Sequence, residues 1–372
     1  MVDKTSSIPL YFQIKDQLFQ EIEDGIYKTG ERLPPERELI ERFNVARMTL
    51  RQAIKILIDQ GFLESRRGSG VYVADRHHFS IEQNSQRNTN IGILLPYIKQ
   101  GILVDLLRGI EDQAIAHGYN TNICNLNSSW DKAQRYVDQL IANQVQGAIY
   151  LPIQEWDNRK EKDDLNRQII TELNKHKIPI VLVDRDCKSC VADLVASDNF
   201  GGGYKATKHL IEMGHTKIAV IHEYDDTSVM DRISGYKAAL KEYNLPVQTH
   251  YIHKIQKDNP DSNFTETLQY IVNDLNVTAI FAIHDLLAVY IGSEANSLGI
   301  KIPEHLSLVG YDNLPFTEHL PTPLTTVDQP VYKIGIESFN LLLNRMKKNT
   351  LKVEKIFLSN QLIVRKSVKK IN

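Results

Sequence analysis

Two groups of charged residues in this 372-residue chain have the types and spacing that binding chemistry needs. The first is a basic run between positions 44 and 74, where two acidic residues stand among five basic ones: Arg47, Arg51, Lys55, Arg66 and Arg67. Guanidinium groups bind the phosphates and base edges of DNA. The formal net charge of the whole chain is -2, so any DNA contact must come from a local patch such as this one.

The second group of charged residues stands at the ends of short apolar runs in the C-terminal three quarters of the chain. In chain order it comprises Asp184, Arg185, Asp225, Asp226, Arg232, His284, Asp285 and Asp312. Paired aspartate and arginine side chains, together with a flat apolar face such as Phe281, are what a small polyol or sugar requires. An aspartate after a strand is also a common helix N-cap, and Asp285 is interpreted as one.

The elements around the basic run are predicted from apolar spacing and from turn residues. Every fourth residue is apolar from Leu10 to Ile22, which predicts a first helix. A second helix is predicted from near Pro35, and a third from about Arg47 to Gln60. The segments FLES and VYV then bracket RRGSG, which is typical of a hairpin with a glycine-containing tip.

This order of elements is that of a winged helix-turn-helix, which places its last helix in the DNA major groove. The outward face at the start of that helix consists of Arg47, Met48, Thr49, Arg51 and Gln52. Arginine and glutamine can bond base edges, and threonine suits phosphate oxygens. Arg66 and Arg67 fall on the hairpin, where we expect them near a phosphate backbone or the minor groove.

From Asn90 onward, β-rich runs alternate with amphipathic helical patterns. Seven strands are predicted, beginning near residues 90, 119, 147, 179, 217, 278 and 306. Such alternation indicates an α/β fold with parallel sheets covered by helices on both faces. About 280 residues is large for one such sheet, so two lobes are expected, with a ligand cleft at the carboxyl ends of the strands. The predicted domains are residues 1–75 for DNA binding, a polar linker at 76–89, and residues 90–372 for effector binding and dimerisation.

The N-terminal stretch closely resembles the GntR family of bacterial regulators. The matching segments are PLYFQIKDQL, ERLPPERELIERF, VARMTLRQAIKIL and RRGSGVYV, in that order. The resemblance implies that five residues contact DNA: Arg37, Arg47, Thr49, Arg51 and Gly68. Two positions depart from the family pattern. Ala46 stands where Ser or Thr is usual, and Met48 replaces a small polar residue, so the operator is expected to differ from the common half-site.

Residues 90 to 368 resemble the LacI/GalR effector domain and the periplasmic sugar-binding fold. The matching segments include LLRGIEDQAIAHGYN, SDNFGGGYKATKHLIEMGHTKIAVI, PEHLSLVGYDN and PLTTVDQPVYKIG. The resemblance implies an effector pocket lined by Asp184, Asp226, Ser228, Arg232, Phe281, His284 and Asp312. Ile102 and Leu103 stand where aromatic residues often cover the ligand, and Asp226 adds a carboxylate that disfavours an anionic effector. A GntR-type module joined to this domain resembles the arabinose repressor type.

These observations predict a sugar-responsive, sequence-specific transcriptional regulator. We expect a repressor that binds two-fold-symmetric operator DNA as a homodimer and is released by a small carbohydrate, with an arabinose-like pentose as the first candidate. A regulator that needs its ligand as a corepressor is one alternative. An enzyme acting on a small polar substrate in the same cleft is another, although neither a nucleophile elbow nor a GxxxxGK(S/T) loop occurs in the sequence.

Neither a cofactor, a metal nor a membrane partner is expected. The sequence has no signal pattern or long apolar run, which predicts a cytoplasmic location. Three cysteines cannot pair completely, which fits a reducing compartment. Cys187 and Cys190 are interpreted as a chance pair in a loop, and His77 and His78 as solvated linker residues rather than metal ligands.

Overall fold

The computed structural model describes residues 10–59, 62–66, 69–74, 89–98, 101–153, 162–187, 190–255, 264–347 and 352–371. Two compact units make up the chain, one built mainly on residues before 90 and the other on residues 90–372 without the segment 114–120. The predicted linker, apart from Thr89, lies outside the described residues.

The N-terminal unit consists of three helices and a hairpin: α1 (Leu10–Glu23), α2 (Glu36–Phe43), α3 (Arg47–Asp59), β1 (Leu63–Arg66) and β2 (Gly70–Val73). The strands β1 and β2 are antiparallel, with Leu63 opposite Val73. One core closes the unit, and Ile14, Leu18 and Leu50 are fully buried in it. The apolar spacing in the sequence therefore predicted this unit correctly.

The turn between α2 and α3 depends on two residues. Asn44 adopts the left-handed conformation with φ 50° and donates its N–H to the carbonyl of Ile40, which ends α2. The carbonyl of Ala46 then accepts the first bonds of α3, from Thr49 and Leu50. Ala46 therefore occupies the N-cap position of α3 with a side chain that has no hydrogen-bonding group.

The first lobe of the C-terminal unit is a six-stranded sheet in the order β13-β7-β6-β5-β3-β4. Its strands are β3 (Asn90–Leu95), β4 (Asn120–Asn125), β5 (Gly147–Tyr150), β6 (Ile180–Val183), β7 (Asp193–Ser197) and β13 (Lys355–Leu358). Its helices are α4 (Ile102–Ala116), α5 (Trp130–Ala142), α6 (Lys162–Lys175) and α11 (Val331–Lys347). The pairs β3–β5, β5–β6, β6–β7 and β7–β13 are parallel.

The second lobe is a six-stranded sheet in the order β14-β12-β11-β10-β8-β9. Its strands are β8 (Ile218–His222), β9 (Ile252–Lys254), β10 (Ala279–Ala282), β11 (Ser307–Asp312), β12 (Thr325–Asp328) and β14 (Gln361–Ile363). Its helices are α7 (Asn199–Glu212), α8 (Thr227–Glu242), α9 (Phe264–Gln269) and α10 (Asp285–Ser297), with short helical turns at Thr249–Tyr251, Tyr270–Asp274 and Pro315–Glu318. Only the edge pair β12–β14 is antiparallel among the pairings described for this sheet.

The chain passes between the two lobes three times. The first crossover lies between β7 and α7 at Asp198, the second between β12 and α11 at residues 329–330, and the third between β13 and β14 at residues 359–360. Each lobe has its own buried core. Two parallel-sheet lobes with polar residues at the strand ends confirm the predicted fold class.

Membrane spans and the three cysteines were also the subject of predictions. In the described part of the chain, no helix is long and apolar enough to cross a membrane. Cys187 and Cys190, interpreted from the sequence as a chance pair, are joined in a disulfide, because a turn in which Cys190 donates its N–H to the carbonyl of Cys187 brings them together. Cys124 is a buried thiol, and burial raises its pKa to about 11.

Candidate DNA-binding surface and ligand cleft

The exposed face of α3 carries the residues that the sequence predicted to contact DNA. Met48 is 75% exposed, and the side chains of Arg47 and Arg51 are more than half exposed. Thr49 is partly covered at the edge of this face. The opposite face of α3 packs into the core through Leu50, Ile54 and Leu57, so the outward side chains are not part of the apolar core. They remain predicted DNA contacts.

Glu36, at the start of α2, holds the two predicted recognition arginines. Its carboxylate accepts hydrogen bonds from Nε of Arg47 at 3.0 Å and from Nε of Arg51 at 3.0 Å. Burial acts to raise the pKa of Glu36, but the hydrogen bonds from Arg51 and Arg47 outweigh it and lower the pKa. The shared carboxylate therefore fixes both guanidinium groups side by side. The sequence analysis did not identify Glu36, because it lies on α2, 11 and 15 residues before the arginines that it binds on α3.

The other predicted DNA contacts lie on α2 and on the hairpin. The side chain of Arg37 is 90% exposed and forms an ion pair with Glu41 at 3.3 Å. Arg66 stacks on the ring of Tyr72, with its guanidinium carbon 4.3 Å from the ring centre. Arg67 and Gly68 lie outside the described residues.

In the C-terminal unit, the residues that follow β6 meet the start of α8 across the cleft between the lobes. Nε of Arg185 lies 3.4 Å from the carboxylate of Asp184 and 3.9 Å from that of Asp226 in the second lobe. Burial acts to lower the pKa of Arg185, but the carboxylates of Asp226 and Asp184 outweigh it and raise the pKa. The N–H of Asp186 also donates to the hydroxyl of Thr227 at 2.9 Å. The sequence predicted that Asp184, Arg185 and Asp226 lie at one cleft, and in the structure these three side chains lie close together.

Asp226 has two roles at the start of α8. One carboxylate oxygen caps the helix, accepting the N–H of Val229 at 3.1 Å, and also accepts the hydroxyl of Ser228 at 2.6 Å. The other oxygen is the one that faces Arg185. The N-cap and the cleft interpretations of this residue are therefore compatible.

Arg232 is buried in the second turn of α8, close to Asp312 at the end of β11. Nε donates to the side-chain oxygen of Asn199 at 2.9 Å, and Nη1 donates to the carbonyl of Ile283 at 2.7 Å. Its guanidinium carbon is 3.7 Å from the centre of the Tyr311 ring, and Nη1 is 3.9 Å from the carboxylate of Asp312. These contacts fix the orientation of the guanidinium group.

Asp312 ends β11 with strained backbone, since its φ is 109°. Its carboxylate accepts a hydrogen bond from the amide of Gln329 at 2.6 Å, on the second crossover. Burial raises the pKa of Asp312, although Arg232 acts in the opposite direction. Asp312 and Gln329 line a cavity of about 1390 Å³ that continues along Ile102 and Leu314. A smaller cavity of about 210 Å³ is lined by residues that include Asp184 and Ser228.

His284 caps α10, so the prediction that Asp285 is the N-cap is wrong. Nδ1 of His284 accepts the N–H of Leu287 at 3.1 Å, and Nε2 lies 2.7 Å from the carboxylate of Glu223. The sequence reasoning missed Glu223, although it directly follows β8 as Asp184 follows β6. Asp285 is instead fully buried and accepts the hydroxyl of Thr326 at 2.6 Å.

The sequence suggested that Phe281 presents an apolar face to the cleft. In the structure it does not. It has 0% exposed surface and belongs to the core of the second lobe. The reason is its place in β10, a central strand covered on both faces, where an alternating side chain is buried whichever way it points.

The titration of Asp285 gives a testable pH dependence. Burial and the nearby charge of Asp312 raise the pKa of Asp285 to about 8, whereas an unfolded aspartate titrates near about 3.9. A raised pKa favours the protonated folded state, so this contribution to stability is present at low pH and is lost as the pH rises through about 8. An uncharged asparagine side chain at this position can accept from the N–H of Leu314 and donate to Thr326. We therefore compare the free energy of unfolding of Asp285→Asn with that of the wild type at each pH. The difference, variant minus wild type, should be ~1–3 kcal/mol higher at pH 8.5 than at pH 5.

Urea unfolding followed by circular dichroism at the two pH values measures this difference. Asp193→Asn is a control, because that buried carboxylate is paired with Arg345 at 2.6 Å and needs its charge. It should destabilise the protein at both pH values. Equal pH slopes for Asp285→Asn and the wild type would show that Asp285 is ionised throughout.

A winged helix with exposed arginines, joined to a two-lobed domain whose cleft is lined by aspartate and arginine, defines the class of ligand-responsive transcriptional regulators. Residues 10–73 match the family model for bacterial regulatory proteins of the gntR family, and residues 207–368 match that of the periplasmic binding protein-like domain. The chain belongs to the family of bacterial transcriptional repressors that combine these two domains.

Three similar proteins illustrate the relationship. The arabinose metabolism transcriptional repressor of Geobacillus stearothermophilus is 26% identical over 99% of this chain and 100% of its own length. The HTH-type transcriptional repressor PurR of Vibrio vulnificus is 31% identical over 79% of this chain and 84% of its own length. The crystal structure of a LacI family transcriptional regulator from Enterococcus faecium with bound ribose has a TM-score of 0.63 and 28% identity, and covers 76% of this chain and 100% of that one.

Proposed function

We propose that this repressor is released from its operator by a small neutral sugar, with a pentose as the first candidate. The observation that carries the proposal is the pair Arg232, in α8, and Asp312, at the carboxyl end of β11, which lie 3.9 Å apart. Asp312 also lines the larger cavity. A sugar hydroxyl both donates and accepts, so vicinal hydroxyls suit a fixed donor next to a fixed acceptor. The relatives support a sugar ligand, because one is named for arabinose metabolism and a solved structure holds ribose.

The charge of the cleft favours a neutral ligand. Its two arginines, Arg185 and Arg232, already face the carboxylates of Asp184, Asp226 and Asp312. Glu223 adds a further acid beside His284. Because the carboxylates outnumber the arginines, a sugar acid or sugar phosphate would bring another negative charge next to unneutralised ones. Of the remaining predicted contacts, Ser228 has a hydroxyl that donates to Asp226 and can still accept from a polyol, whereas both ring nitrogens of His284 already have partners, Leu287 and Glu223.

Operator binding is proposed to require a homodimer. One winged helix reads one half-site through Arg47, Met48, Thr49 and Arg51, with Arg37 on α2 and Arg66, Arg67 and Gly68 on the hairpin as further contacts. A two-fold operator then needs two such units at a fixed spacing. Sugar binding in the cleft changes the relation of the two lobes in each subunit, and DNA affinity falls as a result. By linkage, a sugar that weakens DNA binding tenfold must itself bind tenfold more weakly to the DNA complex.

A titration with a sugar panel tests the proposed function. The DNA probe is duplex selected by the purified protein from a random pool, and the panel comprises L-arabinose, D-ribose, D-xylose, D-glucose and the corresponding aldonic acids. We expect a pentose to bind by calorimetry and to weaken DNA binding at least ~10-fold, since allosteric coupling is typically 5- to 150-fold. Each aldonic acid should bind at least ~10-fold more weakly than its parent sugar because of the acidic cleft.

Two outcomes would contradict the proposal in different ways. Tight binding of an aldonic acid in preference to its sugar would reject the neutral ligand. A sugar that binds the protein and strengthens DNA binding would reject release and establish a corepressor instead. Sedimentation of the DNA complex gives its subunit number, and one subunit per operator would reject the homodimer.

A further inference from the structure

Two of the three crossovers between the lobes are joined by a group of hydrogen-bonded side chains, which we name the hinge cluster: the buried Asn199, Tyr311 and Asn360 and the half-buried Lys205. Asn360 lies on the third crossover and is 4% exposed. Its side-chain amide donates to the carbonyl of Asp198 at 2.7 Å, on the first crossover, and to the Tyr311 hydroxyl at 3.1 Å. Its two oxygens accept from Nζ of Lys205, at 2.7 Å and 2.9 Å. The first and third crossovers are therefore tied together through one side chain.

Tyr311 connects this tie to the proposed ligand contacts. Its hydroxyl donates to the side-chain oxygen of Asn199 at 3.5 Å, and the same oxygen accepts Nε of Arg232 at 2.9 Å. The guanidinium group of Arg232 also stacks on the Tyr311 ring. Any movement of Arg232 toward a ligand must therefore be accommodated by Tyr311 and Asn199.

The second crossover joins the same network through Gln329, whose amide donates to Asp312 beside Arg232. The hinge cluster is closely packed against α7. A methyl group at Gly202 would come within 2.2 Å of the Tyr311 hydroxyl oxygen and 2.7 Å of the Asn360 amide nitrogen. Tyr311 and Asn199 are buried as Asn360 is, so each bond of the network lies in a desolvated environment where a lost partner is costly.

We propose that Asn360, Tyr311 and Asn199 are positioning residues that transmit occupancy of Arg232 and Asp312 to the three crossovers, and so set how strongly ligand binding changes DNA binding. This proposal rests on the proposed function. Asn360 touches neither Arg232 nor Asp312 directly, so its removal leaves the ligand contacts in place and affects only the connection between them and the crossovers. Ligand affinity and coupling are therefore separable in variants of this residue.

The chain supplies a matched control for Asn360 and Tyr311. Asn166 in the first lobe is equally buried, and its side-chain oxygen accepts the hydroxyl of the buried Tyr150 at 2.5 Å. It also bonds the backbone of Ile153 in both directions. Asn166→Ala and Tyr150→Phe thus remove a buried asparagine–tyrosine bond away from the crossovers.

The experiment measures three quantities for the full-length wild type, Asn360→Ala, Tyr311→Phe, Asn166→Ala and Tyr150→Phe. They are the Kd for the sugar that the panel identifies, the Kd for selected DNA with and without saturating sugar, and hydrogen exchange of the backbone amides. We expect Asn360→Ala to bind sugar within ~3-fold of the wild type while the coupling factor falls at least ~5-fold, because only the connection is lost. Tyr311→Phe keeps the ring on which Arg232 stacks and should also lower the coupling factor at least ~5-fold. The amide of Asp198, which donates to the carbonyl of Leu358, should exchange faster in both.

The controls should lose stability and keep the wild-type coupling factor. Wild-type coupling in both Asn360→Ala and Tyr311→Phe would overturn the role of the hinge cluster and leave the proposed function standing. Equal loss of coupling in Asn166→Ala would overturn it too, since the effect would then follow stability alone. A wild-type protein that no sugar releases from DNA would overturn the proposed function and the transmitting role together.

Discussion

Alanine in place of Arg51 is expected to abolish specific operator binding without unfolding the chain. Arg51 lies on the exposed face of α3 outside the apolar core, and its ion pair with Glu36 is at the surface, so its loss should leave the core intact. A bidentate arginine contact to a guanine contributes about 1–3 kcal/mol. The proposed homodimer would make the contact twice, so the expected loss is ~30-fold or more in Kd at fixed salt. Arg47→Ala should act similarly, and fluorescence anisotropy with selected DNA measures both.

Lys55→Ala is the matched control for these two variants. Lys55 has the same charge, lies on the same helix one turn beyond Arg51, and is exposed. Residues at the N-terminal end of a recognition helix read base edges, whereas a lysine further along contacts at most a phosphate. Lys55→Ala should therefore weaken selected and random DNA alike, and by under ~10-fold. If both arginine variants retained sequence-specific binding, the assignment of α3 as the recognition helix would be wrong.

Arg232→Ala is expected to give a repressor that binds its operator and no longer responds to sugar. The substitution removes a buried donor and leaves the carboxylate of Asp312, which lines the cavity, without its facing charge. A hydrogen bond from a charged group contributes about 1.5–3 kcal/mol, so loss of the guanidinium donor should lower sugar affinity at least ~10-fold. DNA affinity without sugar should stay within ~3-fold of the wild type, because the winged helix has its own core. Calorimetry and DNA titration on the same preparation measure the two effects.

Two further variants separate ligand loss from instability. Asp312→Asn keeps the shape of the side chain and removes the acceptor charge, so it should also lose sugar binding. Arg345→Ala breaks the buried pair with Asp193, away from the cleft, where Nε and the carboxylate are 2.6 Å apart. It should lower the unfolding midpoint at least as much as Arg232→Ala and keep sugar affinity. Normal sugar affinity in Arg232→Ala would reject the proposed map of the cleft.

Much of the architecture could be predicted because apolar spacing reflects burial directly. The stripe from Leu10 to Ile22 and the run IVLV before Asp184 are buried where the sequence placed them. The helix-turn-helix, the hairpin and seven strands follow from such local patterns. Charged residues that directly follow strands can also be recognised from local sequence. On this basis Asp184, Arg185 and Asp226 were predicted to lie close together, as they do.

The predictions failed where burial depends on partners distant in the chain. Strand β12 was not among the predicted strands, and its polar residues Thr325 and Thr326 are both fully buried. Thr325 accepts the N–H of Arg365, and Thr326 donates to Asp285, so partners about 40 residues away satisfy their hydroxyls. The same long-range bond explains why Asp285 is not a cap. Glu36 and Asn360 were missed for this reason as well, since each acts through residues on another element.

The separate core of the winged helix has an evolutionary consequence. A unit that buries its own apolar residues folds from its own segment of the gene, so recombination can join it to a different ligand-binding domain without redesigning either interior. The family models reflect this, because the gntR-type match ends at residue 73 and the second match concerns a different fold. The operator sequence and the ligand that the protein recognises can therefore change independently in evolution. A chimaera in which residues 1–75 are exchanged should respond to the same sugar at a different promoter.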